Sequence, residues 1–180
     1  MTQIEQKFEQ SIGRALNKAL AENPEALETI ERLKTLLLIK GKEYRRNNDP
    51  YHNFNEGAKL MNVRPMMVLN FFRLKHLISI ADLQKDFEDK KHVSDAQINE
   101  KYDDILVYTL IELAYTDNEN EASFEAFSSF TEYLEAKLKF LKKIHEREGE
   151  GPRAKPQQRC KNSRGLVDKN TIKLHNRVTR

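Results

Sequence analysis

Hydrophobic residues recur at helical spacing from the first turn of this chain. Ile4, Phe8, Ile12, Leu16 and Leu20 fall every four positions, which predicts an amphipathic helix ending near "AENPEA". Asn23 followed by Pro24 is a helix-start signal, and Leu27, Ile30, Leu33 and Leu37 carry a second helix to at least Lys40. After the loop "KGKEYRRNNDPYHNF" comes a short helical piece, "NEGAKLMN". Pro65 then opens "PMMVLNFFRLKHLISIAD", which is apolar almost all round and is therefore expected at the centre of the fold. A polar connection, "LQKDFEDKKHV", follows. Ser94 and Gln97 form a capping-box pattern ahead of "DAQINEKYDDILVYTLIELAYT". A last helix is predicted from about Glu121 to Glu146, with Phe124, Phe127, Leu134, Leu138 and Leu141 on one side. No segment alternates as a strand would. The expectation is an all-α bundle of about five helices over residues 1–148, followed by a flexible basic tail over 149–180.

Composition narrows the class. Hydrophobic residues make up 38% and charged residues 33% of the 180, enough apolar matter for one core and too little for a membrane protein. No apolar run approaches the roughly 18 residues of a membrane span, and the N-terminus has acids and no apolar stretch of a secretory kind, so a cytoplasmic location is expected. A single cysteine, Cys160, excludes an internal disulfide and a multi-cysteine zinc site. The net charge of +3 is unevenly spread. Residues 151–180 hold nine Lys or Arg and one acid, a net of +8, which leaves −5 for the first 150. Such a tail suits nucleic-acid phosphates; without interleaved aromatics it does not suit bases.

The candidate chemistry lies on three elements. Glu100 and Asp104 share a face of the helix after Ser94, and Val107 and Ile111 continue that face as an apolar surface. Two carboxylates at this spacing suit Mg²⁺, with waters and phosphates completing its shell, and Asp103 is at hand to assist. Acids in a first helical turn also simply favour the positive end of the dipole. Lys75 falls between Val68, Phe71, Phe72 and Ser79 on its helix, so it is expected to be buried and paired with Glu100 or Asp104. Arg73 and His76 fall on other faces and read as surface groups. Glu43 shares a side with Leu36, Ile39 and Lys40 and is expected to face inward.

The loop "KGKEYRRNNDPYHNF" resembles the "K-x-x-D-Y … D-P-F-x-N-F" signature of the nucleotide modification associated domain 1 family, found largely in phages and similar to MazG-type all-α nucleoside triphosphate pyrophosphatases. "EKYDDILVY" resembles that family's second signature, and "RLKHLISI" stands in place of its "D-K-L-x-R-L" segment. The resemblance covers roughly residues 36 to 114. It implies a Mg²⁺ held by Glu43, Glu100 and Asp104, which would also be catalytic. It further implies a nucleotide bound by Lys40, Tyr44, Asp49, Asn53 and Lys75, with Phe54 and Tyr108 also on its motifs, and an oligomer, to which the first helix would contribute its apolar stripe. Glu43 replaces the family's Asp, and Leu74 and Ile78 replace an Asp and an Arg. Two readings follow. One is a phage-type nucleotide-handling domain that binds a nucleoside phosphate, modified or not, with Mg²⁺ and, if it is an enzyme, hydrolyses it as a pyrophosphohydrolase. The other is a non-enzymatic phage accessory protein that docks on another protein through the helical body and on nucleic acid through the tail.

Overall fold

The computed structural model describes residues 2–44, 46, 48–116 and 122–149, without the side chains of 42–44 and 122–124. The basic segment 150–180 lies outside the described residues, as does whatever was expected of it. The described chain is all-α and forms six helices: α1 (Gln3–Glu22), α2 (Leu27–Tyr44), α3 (His52–Met61), α4 (Pro65–Glu88), α5 (Asp95–Thr116) and α6 (Ala122–Gly149). No strand occurs among the described residues, and no helix is long and apolar enough to cross a membrane.

Local chemistry accounts for most boundaries. Thr2 caps α1 in a reciprocal box, its hydroxyl accepting from the Glu5 N–H while the Glu5 carboxylate accepts from the Thr2 N–H at 2.8 Å. Asn23 makes no side-chain cap, contrary to the expectation. Pro24 opens instead a single 3-10 turn, Pro24–Ala26, from which α2 continues. Pro65 is the first residue of α4 and Asn62, in the left-handed region, ends α3. The box before α5 forms as expected, Ser94 Oγ accepting from the Gln97 N–H and Gln97 Oε1 accepting from the Ser94 N–H. The expected polar connection after α4 is largely helix: Leu83 and Phe87 extend the buried row of Ile80 into the core. Arg147 of α6 donates to the carbonyls of Phe87 and Lys91 at the end of that extension.

The centre of the bundle is α5. It packs against α1, α2, α4 and α6, and its stripe of Ile98, Tyr102, Ile105, Leu106, Thr109 and Leu113 is buried throughout. α4, expected at the centre, lies at the side. It buries Val68, Leu69, Ile80 and Leu83 in the bundle, Val68 against Gly57 of α3, and leaves Met67, Phe71, Leu74 and Ile78 exposed. Two cores result. One gathers α1, α2, α3 and the later turns of α5; the other joins the later turns of α4 and α6 to the first turns of α5. The stripe of α1 is used largely inside the first core, where Phe8, Ile12 and Leu16 are buried, while Ile4 at its start is exposed. The buried row of α6 is Ala126, Phe130, Leu134, Lys137, Phe140 and Ile144, offset from the expected one and interrupted by a lysine.

Candidate functional site

Two consecutive acids on α5 organise the polar interior. Asp103 faces α2 and α6. One carboxylate oxygen receives Lys137 of α6, whose side chain is wholly buried; the other accepts from Arg32 Nε at 3.0 Å. Arg32 in turn donates to Asn99 Oδ1 (2.9 Å), Thr29 Oγ1 (3.2 Å) and Glu28 Oε1 (2.7 Å). Burial pulls the Lys137 ammonium below its ordinary pKa and the adjacent Asp103 carboxylate opposes that pull. Each member of this cluster has a partner within the protein, which is what a buried ion pair needs in order to persist.

Asp104 faces the other way, toward α2 and α4. Oδ1 receives the ammonium of Lys40, and Oδ2 lies 3.3 Å from His76 Nδ1. His76 is buried, and Nδ1 makes no hydrogen bond among the described residues even at that distance. Burial lowers the pKa of His76, with Lys40, Lys75 and Lys101 acting in the same direction and Asp104 against them, so the ring is neutral near pH 7. Tyr108, one turn after Asp104, stacks on Phe72 with centroids 5.8 Å apart and lies 5.7 Å from His76. Phe54 meets both rings edge-on. Asn53, Phe54, Phe72 and Tyr108 line a small depression of about 30 Å³. Asn53 and Phe72 are exposed at its rim, while Phe54 and Tyr108 form its floor. The later turns of α2 and the start of α3 thus converge on α4 and α5, and the mouth so formed carries a cation, a carboxylate, a neutral imidazole and an aromatic plate.

Several residues expected at the site lie elsewhere. Glu100 is exposed and pairs with its neighbour Lys101 at 2.6 Å; it does not share the mouth with Asp104. Lys75 is exposed and makes no ion pair among the described residues, because the face it occupies looks away from α5. The group that meets Asp104 is the next residue, His76, which is buried, contrary to the surface position its place on the helix predicts. Arg73, for which the same is predicted, is partly buried and pairs with Glu112 of α5. Leu74 and Ile78 are exposed, so an acid or arginine at either place would point away from Asp104. Asp49 serves the loop itself: its carboxylate accepts from the Tyr51 N–H at 2.8 Å and from Asn55 Nδ2 at 3.0 Å, at the head of α3. Tyr51 fixes that loop edge-on between Phe8 and Tyr115. Glu43 and Tyr44 end α2, but their side chains lie outside the described residues.

Among the described residues no three of His, Cys, Asp and Glu are grouped to hold a metal ion. Among the described residues, Asp104 is the inward carboxylate at the mouth, and it is held by one lysine rather than by two cations. A single carboxylate is within the habit of Mg²⁺, which keeps several waters and takes most other ligands from phosphates. No family model matches this chain, and no curated protein or solved structure matches it at a significant level.

Proposed function

We propose that the mouth between α2, α3, α4 and α5 binds a nucleoside phosphate together with a divalent cation. The observation that carries this reading is the convergence of Lys40, Asp104 and His76 beside Phe72, which is half exposed where it stacks on the buried Tyr108. Each part has a use. The outer side of Phe72 offers a base a stacking surface, and the exposed amide of Asn53 offers it a donor and an acceptor. A phosphate drawn to Lys40 competes with Asp104 for the ammonium, and Asp104 is then released toward the cation. Mg²⁺, when bound, would neutralise charge developing on the phosphates. His76, buried beside Asp104, would steady that carboxylate, and Asp104, the more exposed of the two, would accept a proton from a water activated for attack. The class of reaction is hydrolysis of a nucleotide phosphoanhydride, the activity that the resemblance of the 40–54 loop also implies. Asp104 and Lys40 are the residues of first importance; Glu100 and Lys75 are not part of the proposal.

Calorimetry with a panel of ribo- and deoxynucleoside triphosphates in Mg²⁺, on wild type and Asp104→Asn, tests the reading. Binding by wild type that weakens at least about tenfold in the variant is expected, since a charged partner is lost from a semi-buried site. The absence of binding by folded wild type at about 1 mM nucleotide, a Kd weaker than most physiological ligands show, rejects it. Pyrophosphate or phosphate release then separates an enzyme from a binding module. The accessory-protein reading draws support from a different feature, the apolar outer face of α4. Its nucleic-acid arm rests on the nine cations of 151–180 and would show as retention on DNA or RNA that falls steeply with salt.

A further inference from the structure

The helix α4 has two apolar faces, and the fold uses one. Leu69, Ile80 and Leu83, with His76 among them, face the bundle. Directly opposite, Met67, Phe71, Leu74 and Ile78 are between 46% and 57% exposed. Their spacings of four, three and four are those of the seam between two paired helices. Single exposed apolar residues are ordinary, but a continuous stripe along three turns marks a surface that something covers.

The flanks of the stripe indicate what covers it. Arg64 and Asp82 stand nine residues to either side of Arg73, which is level with the middle of the stripe but on the bundle side of α4. Arg64 is the N-cap of α4 and Asp82 lies eighteen residues, five whole turns, further on, so their backbone positions fall on the same flank. Both are exposed, and neither makes an ion pair among the described residues. A two-fold axis beside residue 73, perpendicular to the helix, turns α4 end for end while keeping that flank on the same side. Arg64 then lies level with Asp82 of the partner subunit, and the same pair recurs at the other end. Phe71 is brought opposite Leu74 of the partner subunit, and Met67 opposite Ile78 of the partner subunit. Lys75 lies about 20° further from the seam and extends outward, covering its edge with its methylenes. No parallel pairing brings Arg64 to Asp82.

We propose that the outer face of α4 joins two copies of this chain in an antiparallel, two-fold dimer closed at each end by an Arg64–Asp82 pair. The seam is on the far side of α4 from His76, so the mouth at Lys40 and Asp104 stays open in the dimer. The inference therefore does not depend on the nucleotide reading.

Sedimentation equilibrium on the full chain, from about 1 to 100 µM, the range in which modest interfaces dissociate, tests it. Wild type is expected to dimerise. Leu74→Glu should raise the dissociation constant about 100-fold, because a charge enters the centre of the seam; with Leu74 half exposed in the monomer, helicity and melting temperature should hold. Arg64→Asp should weaken the dimer about tenfold by placing like charges together at both ends. Arg64→Asp combined with Asp82→Arg should restore it. A wild type that stays monomeric at about 100 µM, or a dimer indifferent to Leu74→Glu, overturns the surface. A double exchange no tighter than Arg64→Asp alone overturns the antiparallel register.

Discussion

Asp103 and Asp104 are adjacent in sequence and about 100° apart around α5, and they sit in opposite kinds of environment. Asp103 is 4% exposed and meets two cations, Lys137 and Arg32, the second of which also donates to Glu28, Thr29 and Asn99. Asp104 is 20% exposed and meets one cation, Lys40, and a neutral imidazole that does not hydrogen-bond to it. The first region is closed: nothing can enter without breaking a paired charge in a dry place. The second is open on one side and incompletely satisfied, next to aromatic rings that have an exposed rim. Buried charges in a completed network hold helices in register; partly exposed charges with spare capacity are available to a ligand. Telling the two apart needs the partners of each acid, since the residue type is the same.

The largest effect expected to test this contrast is at the closed site. Lys137→Met leaves Asp103 buried with only Arg32 and should lower stability by about 3 kcal/mol in urea denaturation. Adding Asp103→Leu to that variant should recover much of the loss, because the uncompensated charge is then gone. A cost for Lys137→Met of less than about 1 kcal/mol, the scale of an exposed pair, would mean that the closed site is not closed. At the open site the ranking reverses. Asp104→Asn should cost no more than about 1 kcal/mol of stability, yet weaken nucleotide binding at least about tenfold. Asp103→Asn should do the opposite, unfolding more readily while any folded fraction binds normally.

A smaller effect concerns pH. The folded-state pKa of His76 lies below its ordinary 6.5, chiefly through burial. The unfolded chain therefore takes up this proton more readily than the folded one. Its contribution to stability is intact above about pH 6.5, declines as the pH falls through that value, and levels off below the folded pKa. The difference in stability between wild type and His76→Gln, followed from about pH 7.5 to 5.5, should shrink toward acid. A constant difference would mean that the ring is as easily protonated in the folded protein as outside it. The smallest effects are expected at Glu100→Gln and Lys75→Met. Both are surface changes and should shift stability by less than about 0.5 kcal/mol. A loss of nucleotide affinity in either would return Glu100 or Lys75 to the site and blur the distinction drawn here.

Much of the helical order was legible in the sequence, and its failures have identifiable causes. The buried stripe of α5 and the Ser94–Gln97 box were readable because period and capping are local properties. The last turns of α4 were missed because "LQKDFEDKKHV" is polar by composition, while only Leu83, Phe87 and, beyond the helix, Val93 pack in the core. Lys137 was missed because a charge in an apolar row reads as a break in the row. Its partner, Asp103, lies 34 residues earlier on another helix. Lys75 and His76 were exchanged for a related reason. The wheel of α4 is apolar on two faces, and hydrophobicity alone does not say which of them meets α5.

By itself the sequence determined that the described chain is helical, where most helices begin, and that polar groups from the 40–54 loop and from α5 were candidates for one site. Those facts rest on interactions within a turn or two of the chain. Only the tertiary structure decided that α5 is central and α4 lateral, that Asp103 is sealed while Asp104 is open, and that the imidazole of His76 occupies the place foreseen for an ammonium. Each of these depends on which face of one helix meets which face of another. That choice is made by packing and by pairing of distant charges, and no local pattern encodes it.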